Sequence, residues 1–558
     1  MESSPLSRSA DARECALQAA PPAARTQPLS RGDREISAVI ARCGFARVSR
    51  RSLAGCIALL CMGAVPQTAG AVIPVGRCVD MVGKGGYTLR QAIGLAPEGD
   101  TVDLSTLPVS CSTITLTGGA IPIVVDNLTI QGPADRTITV SGNNAGRIFN
   151  HSGSGILRLN NLTLSGGNSS GSGGCVVSYG QVWLYAAAMN ACSAAVDGGC
   201  IDSVGETFLN HQSSLTGCSA ALKGGGIHAL GPVVLNASSI SGSSAYDGAA
   251  IDANAVSATV ALLSSSLSGN TASSEGGAIV AYGDVDIGNS VISGNVAGYN
   301  AGGMLVLGSA TLTSSTVADN VAETGSGGGV FMRTLGGAAK TLTLNSTTVS
   351  GNSAHLFGGG VEGHGNSDAP YGPDMHFSNS TISGNSAGGG GGGVRALFGR
   401  TRFANSTVAF NDAPVGGGFY ATSPFSPPVR CFVEAHSSLF TSNTGSTFAP
   451  DINLNNNCAF MAATTPDNLI DDNGSNSLTT DIWFHGPGRL APLAYHGGPV
   501  RIHALLADSG AINRGSNPDN LSYDQRGPGF DRSVGLQADI GAYERQLTDD
   551  EIFYDGME

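Results

Sequence analysis

Charge is scarce in this chain. Only 13% of its 558 residues are Asp, Glu, Lys or Arg, and aromatic residues reach 6%, with two tryptophans. The 28 basic residues fall short of the 42 acidic ones. Residues 1–71 hold nine Arg and five acidic residues, so the remainder carries 19 basic against 37 acidic residues, a formal charge of −18. Nucleic-acid binding needs a basic surface, and this balance argues against it. No segment keeps a 3.6-residue apolar period for two turns, which excludes a helical architecture. Walker, dinucleotide-binding, G-x-S-x-G and H-E-x-x-H motifs are missing, and so is the nonapeptide calcium repeat.

Glycine is abundant instead, with 81 residues that would be costly inside helices. They belong to a repeat. A small-polar run closes on S-x-Φ-S-G-N, where Φ is apolar, as in Ser265-Ser266-Leu267-Ser268-Gly269-Asn270. A glycine pair or triplet and a second apolar residue follow, as in Gly276-Gly277-Ala278-Ile279. The first marker runs from Leu164 to Leu439 in steps of 25 to 33 residues, and the second keeps phase with it from Val176 to Phe419. A fixed period of this kind signals a repeat architecture. Alternating runs such as Thr341-Leu342-Thr343-Leu344 are strand-like, and a coil of about 25 residues holds three short strands and three turns. The expected fold is an all-β parallel β-helix of about eleven to twelve coils, each advancing about 4.8 Å. The longer steps, near 330–345, 363–375 and 420–430, read as loops pushed out of a coil.

In such a fold equivalent residues stack into columns. Asn270, Asn295, Asn320, Asn352, Asn385 and Asn411 form one, expected to be an inward amide ladder between coils. Cys192 and Cys218 hold the same slot in earlier coils, while Cys175 and Cys200 hold a small-residue slot. Each pair lies on adjacent coils, within disulfide range or stacked as buried thiols. Cys78–Cys111 and Cys431–Cys458 each flank one irregular segment and are expected bridges. These eight cysteines make an even set, as in exported chains. The other four lie in residues 1–71. There Arg47, Arg50 and Arg51 precede an apolar stretch, Leu53 to Val65, and a small-residue site ending at Ala71, the layout of a signal peptide. The apolar stretch is too short to span a membrane.

One charged constellation stands out. The residue after the second marker is Asp202, His228 and Asp252 in three consecutive coils. Four positions before the marker stand Asp197, Lys223, Asp247 and Glu275. As a functional site this wall would hold calcium or a polysaccharide, or would pair acid and base with His228 or Lys223 as the base. As structure it is an ion-pair ladder in which charges alternate to relieve repulsion. The ladder is the expected role. Asp471-Asp472 and His485-Gly486 resemble fragments of polygalacturonase motifs, but the rest of that set is missing and the order is wrong, and they are expected in a polar loop.

The ends resemble known modules. Tyr87-Thr88-Leu89-Arg90-Gln91-Ala92-Ile93, then Gly99-Asp100-Thr101-Val102-Asp103-Leu104, resembles the CSLREA domain, with Tyr87 and Gln91 in place of Cys and Glu. Locally the segment reads as a short helix, Leu89 to Ala96, plugging the first coil. Leu490-Ala491-Pro492-Leu493, His496-Gly497-Gly498-Pro499, His503-Ala504-Leu505-Leu506, Asp524-Gln525-Arg526-Gly527 and Asp539-Ile540-Gly541-Ala542-Tyr543-Glu544 resemble a choice-of-anchor Q domain. The glycine markers are similar to passenger repeats of polymorphic outer membrane proteins, but the translocator barrel of that family is not expected in this chain. These resemblances imply a right-handed coil and a secreted or surface location. They imply structural roles for His496 and His503, and Arg526 is expected to pair with Asp524 or Asp539. The expected organisation is a leader (1–71), an N-terminal cap and first coils (72–150), repeats (151–445), a C-terminal cap (446–544) and a tail (545–558). The expected function is non-catalytic, an adhesin-like monomer binding a glycan or cell-surface ligand. The alternative is a polysaccharide lyase or hydrolase on acidic polysaccharide. Calcium is the one cofactor considered.

Overall fold

Apolar and polar residues alternate in runs such as Gln181–Tyr185, so one face of each short strand turns inward. Stacked coil upon coil, these strands form a right-handed parallel β-helix in the computed structural model. The structure describes residues 70–546, apart from 82–85, 335–339, 366–371, 424–430, 456–457, 462–466, 472–482 and 485. The segment before Gly70 that reads as a signal peptide, the tail beyond Gln546, Asp472 and His485 lie outside the described residues. So do parts of the three inserted loops.

Three sheets, two of 15 strands and one of 13, run the length of the solenoid, and a fourth of nine strands spans the coils from Asn168–Ser169 to Ser386–Ala387. Strands pair in parallel with their counterparts one coil on. Thr207 faces Val233, which faces Val260, and Ile201, Ile227, Ile251 and Ile279 stack in the same way. About 14 coils result, more than the repeat markers indicate. The difference lies in the first coils, where Thr101–Asp103 and Leu128–Gln131 form strands without the S-G-N and glycine signature. The interior columns are fully buried from Leu157 to Val433, and each such side chain contributes about 1.5–3 kcal/mol.

Polar ladders line two corners. Asn270 donates its backbone N–H and its Nδ2 to Oδ1 of Asn295, at 3.0 and 2.9 Å. The same pair of bonds recurs through Asn320, Asn352, Asn385 and Asn411 and ends on Asn443, a member that the repeat spelling missed. A second ladder was not anticipated. It runs from Ser265 through Ser290, Ser315, Thr347, Ser380 and Ser406 to Ser438, each hydroxyl accepting the preceding coil's N–H. Opposite the amides stand glycines. A Cβ on Gly329 would lie 2.6 Å from the Gly360 carbonyl and 3.2 Å from Nδ2 of Asn352, so only glycine fits.

The cysteines correct the expected pairing. Cys78–Cys111 and Cys431–Cys458 are bridged, but Cys175 joins Cys192, and Cys200 joins Cys218. These two bonds cross the interior of a coil rather than linking neighbours along the stack. Cys175 and Cys200 occupy the glycine slot and Cys192 and Cys218 the asparagine slot, so each disulfide replaces one amide–glycine contact. Several disulfides accord with an extracellular or secreted protein. Among the described residues no helix is long and apolar enough to cross a membrane.

The only α-helix among the described residues, α1 (Leu89–Leu95), buries Leu89, Ala92 and Ile93 at the first coil. Thr88 and Gln91 exchange bonds as a capping box, a role that Gln fills as Glu would. At the other end the chain packs along the side of the last coils. Ser383 Oγ and His503 Nε2 lie 2.7 Å apart, Arg402 bonds Asp519, and Thr381 bonds Gln525. Burial holds His503 down at about 4, so its imidazole is neutral. His496 packs edge-on against Tyr543. Arg526 pairs with Asp524 at 2.7 Å, between the rings of Phe530 and Tyr543.

Two measurements test this description. Asn352→Ala orphans the N–H of Asn320, a loss of about 1–3 kcal/mol, and hydrogen exchange should show faster exchange at the Asn320 amide than at distant coils. Peptide mapping under non-reducing conditions should recover Cys175 with Cys192 and Cys200 with Cys218. Recovery of Cys175 with Cys200 would contradict the fold of that corner.

Candidate functional site

The charged wall of the sequence is one strip on the outer face of the 13-stranded sheet. Asp202, His228 and Asp252 stand in register on adjacent strands, and Val280, Leu305, Phe331, Glu362, Arg395 and Tyr420 continue the column. Asp197, Lys223, Asp247 and Glu275 occupy the row beside it, where the chain turns into the strand. Asp197 accepts the N–H of Lys223, and Asp247 accepts the N–H of Glu275, each at 3.1 Å. Asn300 and Ser326 continue that pattern. Asp197 and Asp247 therefore serve as backbone acceptors, which is structural work, while Glu275 accepts from the side chains of Asn300 and Arg333.

Inside the strip, His228 Nδ1 bonds Asp202 Oδ1 at 2.6 Å, and His228 Nε2 lies 4.0 Å from Asp252 Oδ1. Burial opposes charge on His228, but Asp202, by hydrogen bond and by charge, with Asp252 and Asp197, holds its pKa above the ordinary imidazole value. Asp252 is fully buried, and neither carboxylate oxygen has a hydrogen-bond partner. Burial raises its pKa to about 6, against the opposing charges of Lys223 and His228.

The strip is covered. Lys223 extends its ammonium to 6.0 Å from the Tyr282 ring, two coils on, and so spans the coil that carries Asp252. Arg333 reaches back to Glu275 at 2.7 Å over the apolar floor of Val280, Leu305 and Phe331. Further along, Arg395 pairs with buried Glu362 at 2.6 Å and lies 4.0 Å from the Phe357 ring. The two rims thus meet over a thin second core. A cleft of 780 Å³ beside Arg147 includes none of the candidate acids or bases. No three carboxylate or imidazole ligand atoms of this wall lie within 4.8 Å of one another. Asp471 bonds Thr441 near the last coils, far along the chain from this wall.

A different surface is open, and sequence reasoning missed it. On the outer face of a 15-stranded sheet, Arg158, Trp183, Phe208 and Val234 stand in register on four coils. The Arg158 guanidinium lies 4.9 Å from the Trp183 ring, and Trp183 meets Phe208 edge-on at 5.7 Å. Beside them Tyr185 stacks on His211 at 4.5 Å. Trp183 and Phe208 are half-buried, while Tyr185 and the corner residue Tyr179 are exposed, Tyr179 to 65%. Val204 and Leu230 extend the corner row along the next coils. The only sequence signal was the rarity of tryptophan.

No family model and no curated protein matches the chain. Among solved structures, the alginate lyase AlyGC of the PL6 family is 10% identical, with a TM-score of 0.34, covering 77% of this chain. The chain spans 55% of that enzyme's length. Pectate lyase Pel9A is 11% identical, with a TM-score of 0.24, covering 86% of this chain and 98% of the enzyme. Likeness at this level concerns the fold alone.

Asp252 gives a test of the strip. Its folded pKa exceeds its unfolded value, so protonated Asp252 favours the folded state below about pH 4, and that stability is lost as pH rises through about 6. The loss is on the order of 2–3 kcal/mol. Asp252→Asn should therefore melt at a higher temperature than the parent near pH 8 and at nearly the same temperature near pH 4. Equal melting shifts at both would show that the carboxylate is not strained.

Proposed function

We propose that the chain is an exported, non-catalytic β-helix protein that binds a linear glycan on the ledge of Tyr179, Trp183, Tyr185 and Phe208. The ledge carries this reading. The half-exposed rings of Trp183 and Phe208 stand on successive coils with centroids 5.7 Å apart, near the repeat of linked sugar rings, and exposed aromatic surface packs against the apolar faces of sugars. Export is supported by the leader-like residues 47–71 and by the four disulfides. The CSLREA-like start and the choice-of-anchor Q-like end fit the same reading, that of a surface or secreted rod.

Against catalysis stands the cover on the strip. A general base must come within hydrogen-bond reach of its substrate. His228 and Asp252 lie under Lys223, and Asp252 has no exposed surface. A second reading, lyase or hydrolase, is favoured by one observation, the unpartnered carboxylate of Asp252 beside an imidazole. Perturbed pairs of this kind occur at active sites.

The two readings separate in one experiment. Residues 72–558 are incubated with a panel of linear polysaccharides, with and without calcium, and both binding and product release are measured. Binding without product release is expected, with Trp183→Ala weakening it roughly tenfold or more, on the scale of a buried aromatic contact. Product release that disappears in His228→Ala would make the strip the active site and overturn this reading.

A further inference from the structure

The ledge is polarised, with one charge of each sign at opposite ends. Arg158 stands one coil before Trp183, and Glu206 lies in the coil of Phe208, two residues ahead of it. Along the axis they are two coils apart, about 9.6 Å at the strand spacing. Arg158 forms no ion pair among the described residues. Burial lowers its pKa, and no neighbouring carboxylate charge opposes that shift. Its guanidinium is instead laid against the Trp183 ring. Trp183 Nε1, shielded from solvent, has no acceptor. Two unsatisfied donors thus meet at one end of an aromatic platform, in a chain whose other guanidiniums include several bound to carboxylates, at Asp80, Glu275, Glu362, Asp519 and Asp524. At the far end, burial raises the pKa of Glu206.

We propose that the ledge selects a carboxylated glycan, a chain of uronic acids, with one sugar carboxylate on the Arg158 guanidinium and the following rings on Trp183 and Phe208. This rests on the ledge being the glycan site. An Arg fork matches a carboxylate in bidentate geometry, and a guanidinium already stacked on a ring loses little freedom in binding it. Glu206 repels the carboxylates of the later rings, so the carboxylate that is held is the one at the Arg158 end.

Calorimetry with an oligogalacturonate and with its fully methyl-esterified form, the same backbone without charge, tests this. The parent protein should prefer the acid. Arg158→Gln should weaken the acid roughly tenfold or more, on the scale of a charge-assisted hydrogen bond, and weaken the ester by much less. Glu206→Gln should tighten the acid, a gain that misfolding cannot imitate. Equal affinity of the parent for both forms, or no change for the acid in either variant, overturns the proposal. If Trp183→Ala still abolishes binding in that case, the ledge remains a glycan site and only its selectivity falls. If no glycan binds, or if Trp183→Ala binds as the parent does, the ledge reading fails and this inference falls with it.

Discussion

Every coil satisfies its backbone through the coils on either side. A strand of three residues, such as Ile227–Ala229, has no hydrogen-bonding partner within its own turn, and its N–H and C=O groups are met by Ile201–Ser203 and Ile251–Ala253. Register must then hold from coil to coil, because a slip of one residue would turn the apolar column outward. The repeat of about 25 residues is the sequence consequence of that requirement, and insertions are tolerated only where they loop out between strands. Steps that lengthen near 330–345 and 420–430 leave the flanking strands, Val330–Arg333 with Thr341–Asn345 and Phe419–Thr422 with Cys431–His436, in phase with the rest.

Stacking like upon like makes the corners demanding. A polar group placed inside must be satisfied by its own copies one coil away. Asparagine does this because its amide both donates and accepts, and the hydroxyl ladder does it with one oxygen. Both ladders also satisfy turn N–H groups that no strand reaches. Between Cys175 and Cys218 the same corner is filled another way, by covalent bonds across the coil. Amide and glycine, or cystine, are two solutions to one gap. The disulfide solution occupies coils near the beginning of the amide column, where Ser243 and then Asn270 take over the slot.

The repeat, and with it the fold class, was legible because each coil restates the same pattern. The asparagine column could be read for the same reason. The cysteine partners could not, since reading down columns compares residues along the stack, whereas Cys175 and Cys192 meet across it. Coils near Thr101 and Leu128 escaped because they keep the strand alternation without the glycine signature. The charged strip was found residue by residue, and its register is as the columns indicated. Its cover was invisible, because Lys223 reaches Tyr282 and Arg333 reaches Glu275 across two coils, through side-chain conformation that spacing does not encode. The ledge was missed for the opposite reason. Trp183, Phe208 and Arg158 share a column but no residue type, so no repeat announces them.

The two outer faces differ in how they treat charge, and that difference bears on function. On the strip, cations fold back over acids, and Asp252 remains desolvated without a hydrogen bond, a cost that the charges of Lys223 and His228 offset only in part. On the ledge, Arg158 rests against a ring with no acid to neutralise it. An ion pair already closed within the protein must be broken before a ligand can use either partner, and the ligand's own contacts have to exceed that loss. An unpaired guanidinium on an aromatic ring needs no such step, and the flat sheet beneath it keeps it in position. The strip, though richer in titratable groups, is the harder of the two to engage. The open ledge, with fewer groups and less perturbed chemistry, is the better placed to meet a partner.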